Sequence, residues 1–593
     1  MNKLKGSEIF YRRFTIWAKR LSEKQLLFIL AVVVGVASAV AGHLLRESIH
    51  GIQALLTDWG NIAKVNYMYL VYPTVGITLT VLFVKYVVKN NISHGVTRIF
   101  YAISRSESRI KPHNCYTSLV ASATTIGFGG SVGAEAPIVL TGAAIGSNIG
   151  QFMRLRYNYI TLLLGCGAGA AIAAVYKAPI AGFAFVIEVL MLELTFTSVV
   201  PLLIASVAAA TTTYILVGIE PFFGNLQPQF NLGNLPYYAI LGVVGGVVSY
   251  YFSKTSMWLE SKMSQIAQQY KKVLIGGAVL GVLIFVFPPL YGEGYDTITK
   301  LLYNQWDSIF EHSLFYNLRE HFFTIALYVV GILIFKVIAM TMTNAAGGVG
   351  GTFAPSLFVG AMLGFFFALM TNRIFGTNLP IGSFTLVGMA AVMGGVMKAP
   401  ITSMFLVAEL TGGFQLFLPL MLTSAVSFAV SYYFEPYSIY TKRLASRGEL
   451  LTHNKDDNTI QFMHIEDLIE DDFVAVDYSG TLHDVINGVE SSPRNMFAVV
   501  ADGELVGVIS LDDIRGDMFK PSKWDRMPLT DYMSQPPDKI VLGEDMRSVV
   551  DKFEESRAWN LPVVDKDNKY LGFISKSRLF SAYREQLQKM SSD

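Results

Sequence analysis

The feature that most limits how this chain can fold is a series of apolar stretches too numerous for a soluble core. They lie at roughly 26–45, 68–88, 158–176, 196–217, 237–252, 273–289, 322–341, 356–371, 384–397 and 416–434. Each comes near the ~20 residues that a bilayer crossing requires. Only 15% of the 593 residues are charged, against about a quarter in ordinary globular chains. Most of the chain is therefore expected in lipid. A net charge of +1 excludes nucleic acid as the main partner. The two cysteines, Cys115 and Cys166, and the nine histidines show no metal-ligand spacing, so no zinc or disulfide framework is expected. No cleavable signal peptide is read at the start. Lys3, Lys5, Arg12, Arg13, Lys19 and Arg20 precede the first apolar run, which points to a basic cytoplasmic segment over 1–25.

Several apolar stretches are punctuated. Between residues 116 and 150, and again between 344 and 364, short apolar pieces alternate with Gly and Pro. Broken backbone at membrane depth survives only where protein buries it or where it lines a polar cavity.

The breaks belong to an internal repeat. Lys177-Ala-Pro-Ile recurs as Lys398-Ala-Pro-Ile, and an acid follows nine residues after each proline, Glu188 and Glu409. Ala136-Pro137 and Ala354-Pro355 are each followed by the same Gly, Ala, Gly pattern (Gly142, Ala143, Gly146 and Gly360, Ala361, Gly364). The two proline pairs lie 221 and 218 residues apart. Two matches at nearly one offset imply two related halves, as in transporters that bind substrate where discontinuous helices of inverted repeats meet.

Gly129-Gly-Ser-Val-Gly-Ala-Glu135-Ala-Pro137 and Gly347-Gly-Val-Gly-Gly-Thr-Phe-Ala-Pro355 occupy equivalent places in the halves. Each looks like a helix start: Gly permits close backbone approach and Pro suits the first turn. Helix starts offer free N–H groups and about half an elementary charge, enough to attract an anion without trapping it. Taken singly, such segments are as well explained by close helix packing; it is their pairing that points to an anion path. Glu135 is an ionisable side chain in an apolar segment, and so a functional candidate. Its carboxylate would compete with an anion and leave on protonation.

These segments resemble the CLC chloride channel and transporter family over roughly residues 20–443. The family's G-x-E-x-P motif stands here as Gly133-Ala-Glu135-Ala-Pro137, and its G-x-F-x-P motif as Gly351-Thr-Phe353-Ala-Pro355. The resemblance implies that Glu135 is the gating glutamate and that the amides of Thr352 and Phe353 contact the anion. It matches the pore tyrosine to Tyr440, with Tyr437 as the alternative; read alone, Tyr440 would be an interfacial aromatic. Where the family has G-S-G-I-P this chain has Ser93-His-Gly-Val-Thr97. The Gly-Val match puts His94 in the anion-binding serine's slot, and a one-residue slip would restore Ser93. Proton-coupled members commonly carry an acid just after the position of Glu188, and Val189 stands there. Valine carries no proton, although some coupled members lack this acid too. The recurrence of Glu188 as Glu409 points to capping or a helix–helix contact for that acid.

After about residue 444 charge increases, and two similar units follow one another. Gly507-Val-Ile-Ser510-Leu-Asp-Asp513 and Gly572-Phe-Ile-Ser575-Lys-Ser-Arg578 each close a β-rich pair and open a helix. They resemble a tandem CBS module, which often binds adenine nucleotides. By that resemblance Ser510 and Asp513 complete one phosphate-and-ribose site and Ser575 half of another, with Arg578 in place of the acid.

The expected architecture is an all-α polytopic membrane domain over 26–444, with two inverted repeats and broken helices, then an α/β tandem CBS domain over 445–593. The expected function is chloride transport by a homodimer, in the cell membrane with both termini cytoplasmic. Passive, voltage-gated conduction controlled by Glu135 is favoured over proton-coupled exchange. No enzyme signature stands in the spans and no cofactor is required, adenine nucleotide at the CBS pair being optional. A CBS-regulated divalent-cation carrier is the distant alternative, and would need several convergent acids within the spans.

Overall fold

A computed structural model describes residues 22–57, 66–90, 92, 95–106, 108–191, 196–224, 226, 230–318, 321–445, 460 and 463–591. The chain divides into two compact units, Met1–Leu450 and Leu451–Asp593.

Every apolar stretch read from the sequence holds a helix. Among the described residues eight helices are long and apolar enough to cross a membrane, and shorter apolar helices such as Pro179–Glu188 and Pro400–Leu410 stand between them. The first helix, Glu23–Thr57, runs well beyond its apolar run. Past residue 45 it becomes two-sided: Ile49 is buried, while Arg46, His50 and Gln53 line a hollow. That is how a helix leaves lipid without ending. Leu235–Ser264 likewise outlasts its apolar core, and near its end Glu260 pairs with Arg443.

The halves of the first unit have the same order of elements. Thr117–Gly127, Glu135–Phe152, Tyr157–Tyr176, Pro179–Glu188 and Phe196–Val217 correspond to Phe322–Ala345, Phe353–Phe375, Ile381–Met397, Pro400–Leu410 and Phe417–Phe434. The breaks repeat too. Gly129 and Gly347 take φ of 92° and 111°, a left-handed turn that glycine adopts without a Cβ clash. Lys177 and Lys398 end their helices at φ of 56° and 59°, and a proline then opens the next helix in each half.

The halves meet by reciprocal bonds. Ser131 N–H donates to Thr343 Oγ1 at 3.2 Å, and Val349 N–H donates to Thr125 Oγ1 at 3.1 Å. Gly133 and Gly351 exchange both backbone bonds, at 3.0 and 2.6 Å, as a one-residue antiparallel bridge. Each of these positions is 218 residues from its counterpart. Glu188 accepts from Ile401 N–H (3.0 Å), Thr402 N–H (2.7 Å) and the Thr402 hydroxyl (2.8 Å). In return Glu409 accepts from Ile180 N–H (3.1 Å) and Ala181 N–H (2.8 Å). Each repeated acid thus caps the opening turn of the other half's short helix, where free amides would otherwise go unsatisfied.

Neighbouring helices within each half pack backbone to backbone. A Cβ added at Gly142 would meet the carbonyl of Gly167, and one at Gly360 would meet that of Gly388. Small residues allow such approach where lipid offers helices no hydrophobic drive to associate. Gly142→Val is expected to lower the apparent melting temperature of the detergent-solubilised protein by several degrees, since overpacking costs about 1–3 kcal/mol. Gly51→Ala, where nothing lies within 4 Å, is expected to leave it unchanged or raised.

The second unit holds two three-stranded sheets of order β1-β2-β3 and β4-β5-β6. Their strands are β1 (Ala475–Asp477), β2 (Met496–Ala501), β3 (Glu504–Ser510), β4 (Ile540–Val541), β5 (Asn560–Val564) and β6 (Tyr570–Ser575). In each sheet the first strand is parallel to the second and the second antiparallel to the third, with a bulge at Val499/Val500 and at Val563/Val564. Phe473, Ala498, Leu505, Val508, Val564 and Phe573 pack into one cluster drawn from both repeats.

Candidate anion pathway

The two Gly-rich breaks bring the starts of Glu135–Phe152 and Phe353–Phe375 together at the Gly133–Gly351 bridge. Glu135 opens its helix with its side chain 1% exposed. One carboxylate oxygen accepts from the Tyr295 hydroxyl at 2.6 Å and from the Tyr176 hydroxyl, and the two hydroxyl oxygens lie close together around it. The other oxygen accepts from Ala354 N–H at 3.4 Å, in the first turn of the opposite helix. The carboxylate therefore occupies an amide that the Phe353 helix start would offer to an anion.

Thr352 is the N-cap of that helix, and its hydroxyl donates to the Tyr440 hydroxyl at 3.1 Å. Tyr440 is buried, whereas Tyr437 is 43% exposed, so of the two tyrosines it is Tyr440 that stands at the helix start. The Phe353 ring stacks on Tyr176, with centroids 5.9 Å apart, and meets Phe185 edge-on at 6.2 Å. Glu135, Thr352, Phe353 and Tyr440 thus converge. Ser93 and His94 lie outside the described residues; the helix that follows them begins at Gly95, where an added Cβ would meet the Ala136 carbonyl. Val189 is buried just beyond its helix, its N–H bonded to Phe185 O at 2.9 Å.

A hollow of about 740 Å³ leads toward this constellation, lined by Arg46, His50, Ala134, Glu293, Tyr295 and His312 among others. Arg46 lies over the Phe222 ring at 4.9 Å, and Phe222 is edge-on to Tyr295 at 5.1 Å. Glu293 accepts from Ala134 N–H at 2.8 Å. Behind it Lys336, fully buried within an apolar helix, donates to Gly292 O at 2.9 Å and lies over Phe358 at 4.8 Å.

No sequence motif singles out Tyr176, Tyr295, Glu293 or Lys336. For Lys336 the signal was present, a cation within the apolar run 322–341. Glu293 carried a weaker one, an acid between two glycines. Nothing local marked the two tyrosines.

In the second unit Ser510 caps the short helix Leu511–Ile514, and Asp513 closes the capping box. Asp513 accepts from Ser510 N–H at 2.8 Å and from its hydroxyl at 2.6 Å. Ser575 accepts from Arg578 N–H at 3.1 Å and bonds Ser577 Oγ at 3.0 Å. A nucleotide here would have to share groups already engaged in capping.

Comparison with known proteins agrees with this arrangement. Residues 76–432 match the family described as voltage gated chloride channel, and residues 465–519 and 529–585 each match a CBS domain. A ClcB-like chloride channel protein of Ralstonia nicotianae is 27% identical over 447 residues, covering 72% of this chain and 97% of the relative. The voltage-gated ClC-type chloride channel ClcB of Salmonella typhimurium is 28% identical over 337 residues, covering 55% of this chain and 75% of the relative. The fold is similar to that of a slow cyanobacterial Cl⁻/H⁺ antiporter, with TM-score 0.60 and 22% identity over 72% of this chain and 98% of the other. It is also similar to a eukaryotic CLC transporter, with TM-score 0.61 and 17% identity over 94% of this chain and 99% of the other. Through its matched membrane helices and the paired helix starts they form, the chain belongs to the CLC family of voltage-gated chloride channels, as an integral membrane protein that carries a tandem CBS module.

Proposed function

We propose that this protein, a CLC-type chloride transporter by family, conducts chloride passively and that Glu135 is its gate. The observation that carries this reading is the Glu135 carboxylate lying on Ala354 N–H, in the first turn of the opposite half's helix. Chloride and the carboxylate are both monovalent acceptors of that amide, so each excludes the other. Thr352, Phe353 and Tyr440 line the same route, and the motif resemblance adds His94, with Ser93 as the alternative. Passive transport is favoured because Val189 carries no proton and Glu188 is engaged in capping Ile401 and Thr402.

Planar-bilayer recordings of the full-length protein under opposed chloride and pH gradients test this. The reversal potential is expected to follow chloride and to stay unmoved by the pH gradient. A shift with pH, or proton uptake driven by chloride, would establish the proton-coupled exchanger instead.

We further propose a homodimer with one pathway per subunit, in the cell membrane and with both termini cytoplasmic. Light scattering in detergent and protease access in oriented vesicles test these points. Adenine nucleotide is proposed to bind at Ser510 and Asp513, and Ser575 to contribute in the second repeat. Isothermal titration of ATP into the full-length protein is expected to give a saturable signal that Asp513→Asn weakens.

A further inference from the structure

Both paired helix starts have an amide occupied by a carboxylate, and only one of the two carboxylates is Glu135. Ala354 N–H, opposite, is taken by Glu135. Ala134 N–H, immediately before Glu135, is taken by Glu293 at 2.8 Å. Glu293 also lines the hollow, so an anion arriving from there meets it before Glu135.

We propose that Glu293 is a second tethered carboxylate, in series with Glu135, which holds the amide of Ala134 until chloride displaces it or a proton neutralises it. Three features fit this role. Glu293 precedes the helix Tyr295–Leu302 by two residues, in a turn where Gly292 and Gly294 take φ of 63° and 93°. Two glycines admit the left-handed turn that aims the carboxylate at the amide, and the swing belongs to the side chain's own rotamers. Lys336 fixes the turn from behind through Gly292 O, not through the carboxylate, which leaves the acid available to the amide. A charge-assisted bond to a helix-start amide is also one that a monovalent anion can replace like for like.

The charged and titratable groups facing Glu293 come from each element around it. They are Arg46 on the first helix, Glu135, Tyr176, Tyr295 and Lys336. His50 and His312, with Asp296, Lys300 and Glu311, line the same hollow.

The proposal rests on the reading of Glu135 as a gate, and the test separates the two. Chloride efflux from liposomes bearing full-length protein is measured at neutral and mildly acid pH for wild type, Glu135→Gln, Glu293→Gln and the double variant. Each is first checked for a monodisperse profile. Glu135→Gln is expected to keep an acid-activated component of several-fold, and the double variant to lose it. A pH-independent Glu135→Gln protein would overturn the proposal. So would a double variant that keeps the component, which would then belong to His50 or His312. If instead Glu135→Gln matches wild type while Glu293→Gln flattens the profile, the Glu135 reading fails and the Glu293 proposal stands. Should Glu293→Gln be polydisperse, Glu293→Asp in the Glu135→Gln background replaces it. The shorter acid falls short of the amide, so neutral-pH efflux is expected to rise toward the acid level, and unchanged efflux would overturn the proposal.

Discussion

Chloride efflux through Glu135→Gln at neutral pH is expected to exceed that of wild type by about tenfold or more, the loss of one charge-assisted hydrogen bond to one amide. The substitution keeps the size of the side chain and its bonds to Tyr176 and Tyr295, whose hydroxyls can donate to an amide oxygen as to a carboxylate. With its one oxygen on the tyrosines, the amide turns its NH2 toward Ala354 N–H and cannot accept from it, so the competitor for that amide is lost. In wild type the block is expected to weaken as pH falls, because the protonated acid becomes a neutral competitor. In the variant that acid activation should shrink to the component assigned to Glu293. Efflux that stays at the wild-type level with an unaltered pH profile would remove Glu135 from the gate.

The second large effect is on stability. Glu188→Ala deprives the Pro400 helix of all three bonds that Glu188 accepts from its first turn. Buried polar groups left without partners cost about 1–3 kcal/mol each; Thr402 is buried but Ile401 is 48% exposed, so a loss of roughly 3–5 kcal/mol is expected. Glu409→Ala removes two bonds from the Pro179 helix and is expected to cost somewhat less. Thermal unfolding in detergent, followed by tryptophan fluorescence, should show a fall of roughly 5 °C or more for Glu188→Ala. Glu188→Gln keeps one acceptor oxygen and should lose less. Unchanged melting in both alanine variants would mean that the reciprocal caps contribute nothing. Chloride efflux scaled to folded protein is expected to persist in Glu188→Gln, as befits a cap.

Much of the membrane unit is legible in the sequence, for a physical reason. A bilayer imposes length and composition on every span, so the apolar runs marked the helices to within a few residues, apart from the polar extensions of Glu23–Thr57 and Leu235–Ser264. Those extensions are amphipathic, and amphipathic turns carry no length rule. The repeat was legible because helix breaks demand particular residues: glycine at the left-handed positions 129 and 347, proline at 179 and 400. Glu188 and Glu409 were legible as a structural pair, but which helix each capped was not, since the bond crosses between the halves.

What the sequence by itself determined was the long apolar helices, their breaks, the two related halves and the gating candidate Glu135, but not the helices Gly95–Arg105 and Tyr295–Leu302. What it did determine follows from local backbone chemistry or from the cost of a charge in lipid. What only the tertiary structure decided was the company that Glu135 keeps. Tyr176 and Tyr295 are 41 and 160 residues from it along the chain, and Ala354 and Tyr440 belong to the other half. Glu293 reaches the amide beside it from 159 residues away. Such contacts depend on where the halves meet, and there Gly133 pairs with Gly351 in an antiparallel bridge, a backbone bond between two motif glycines whose pairing no local pattern announces.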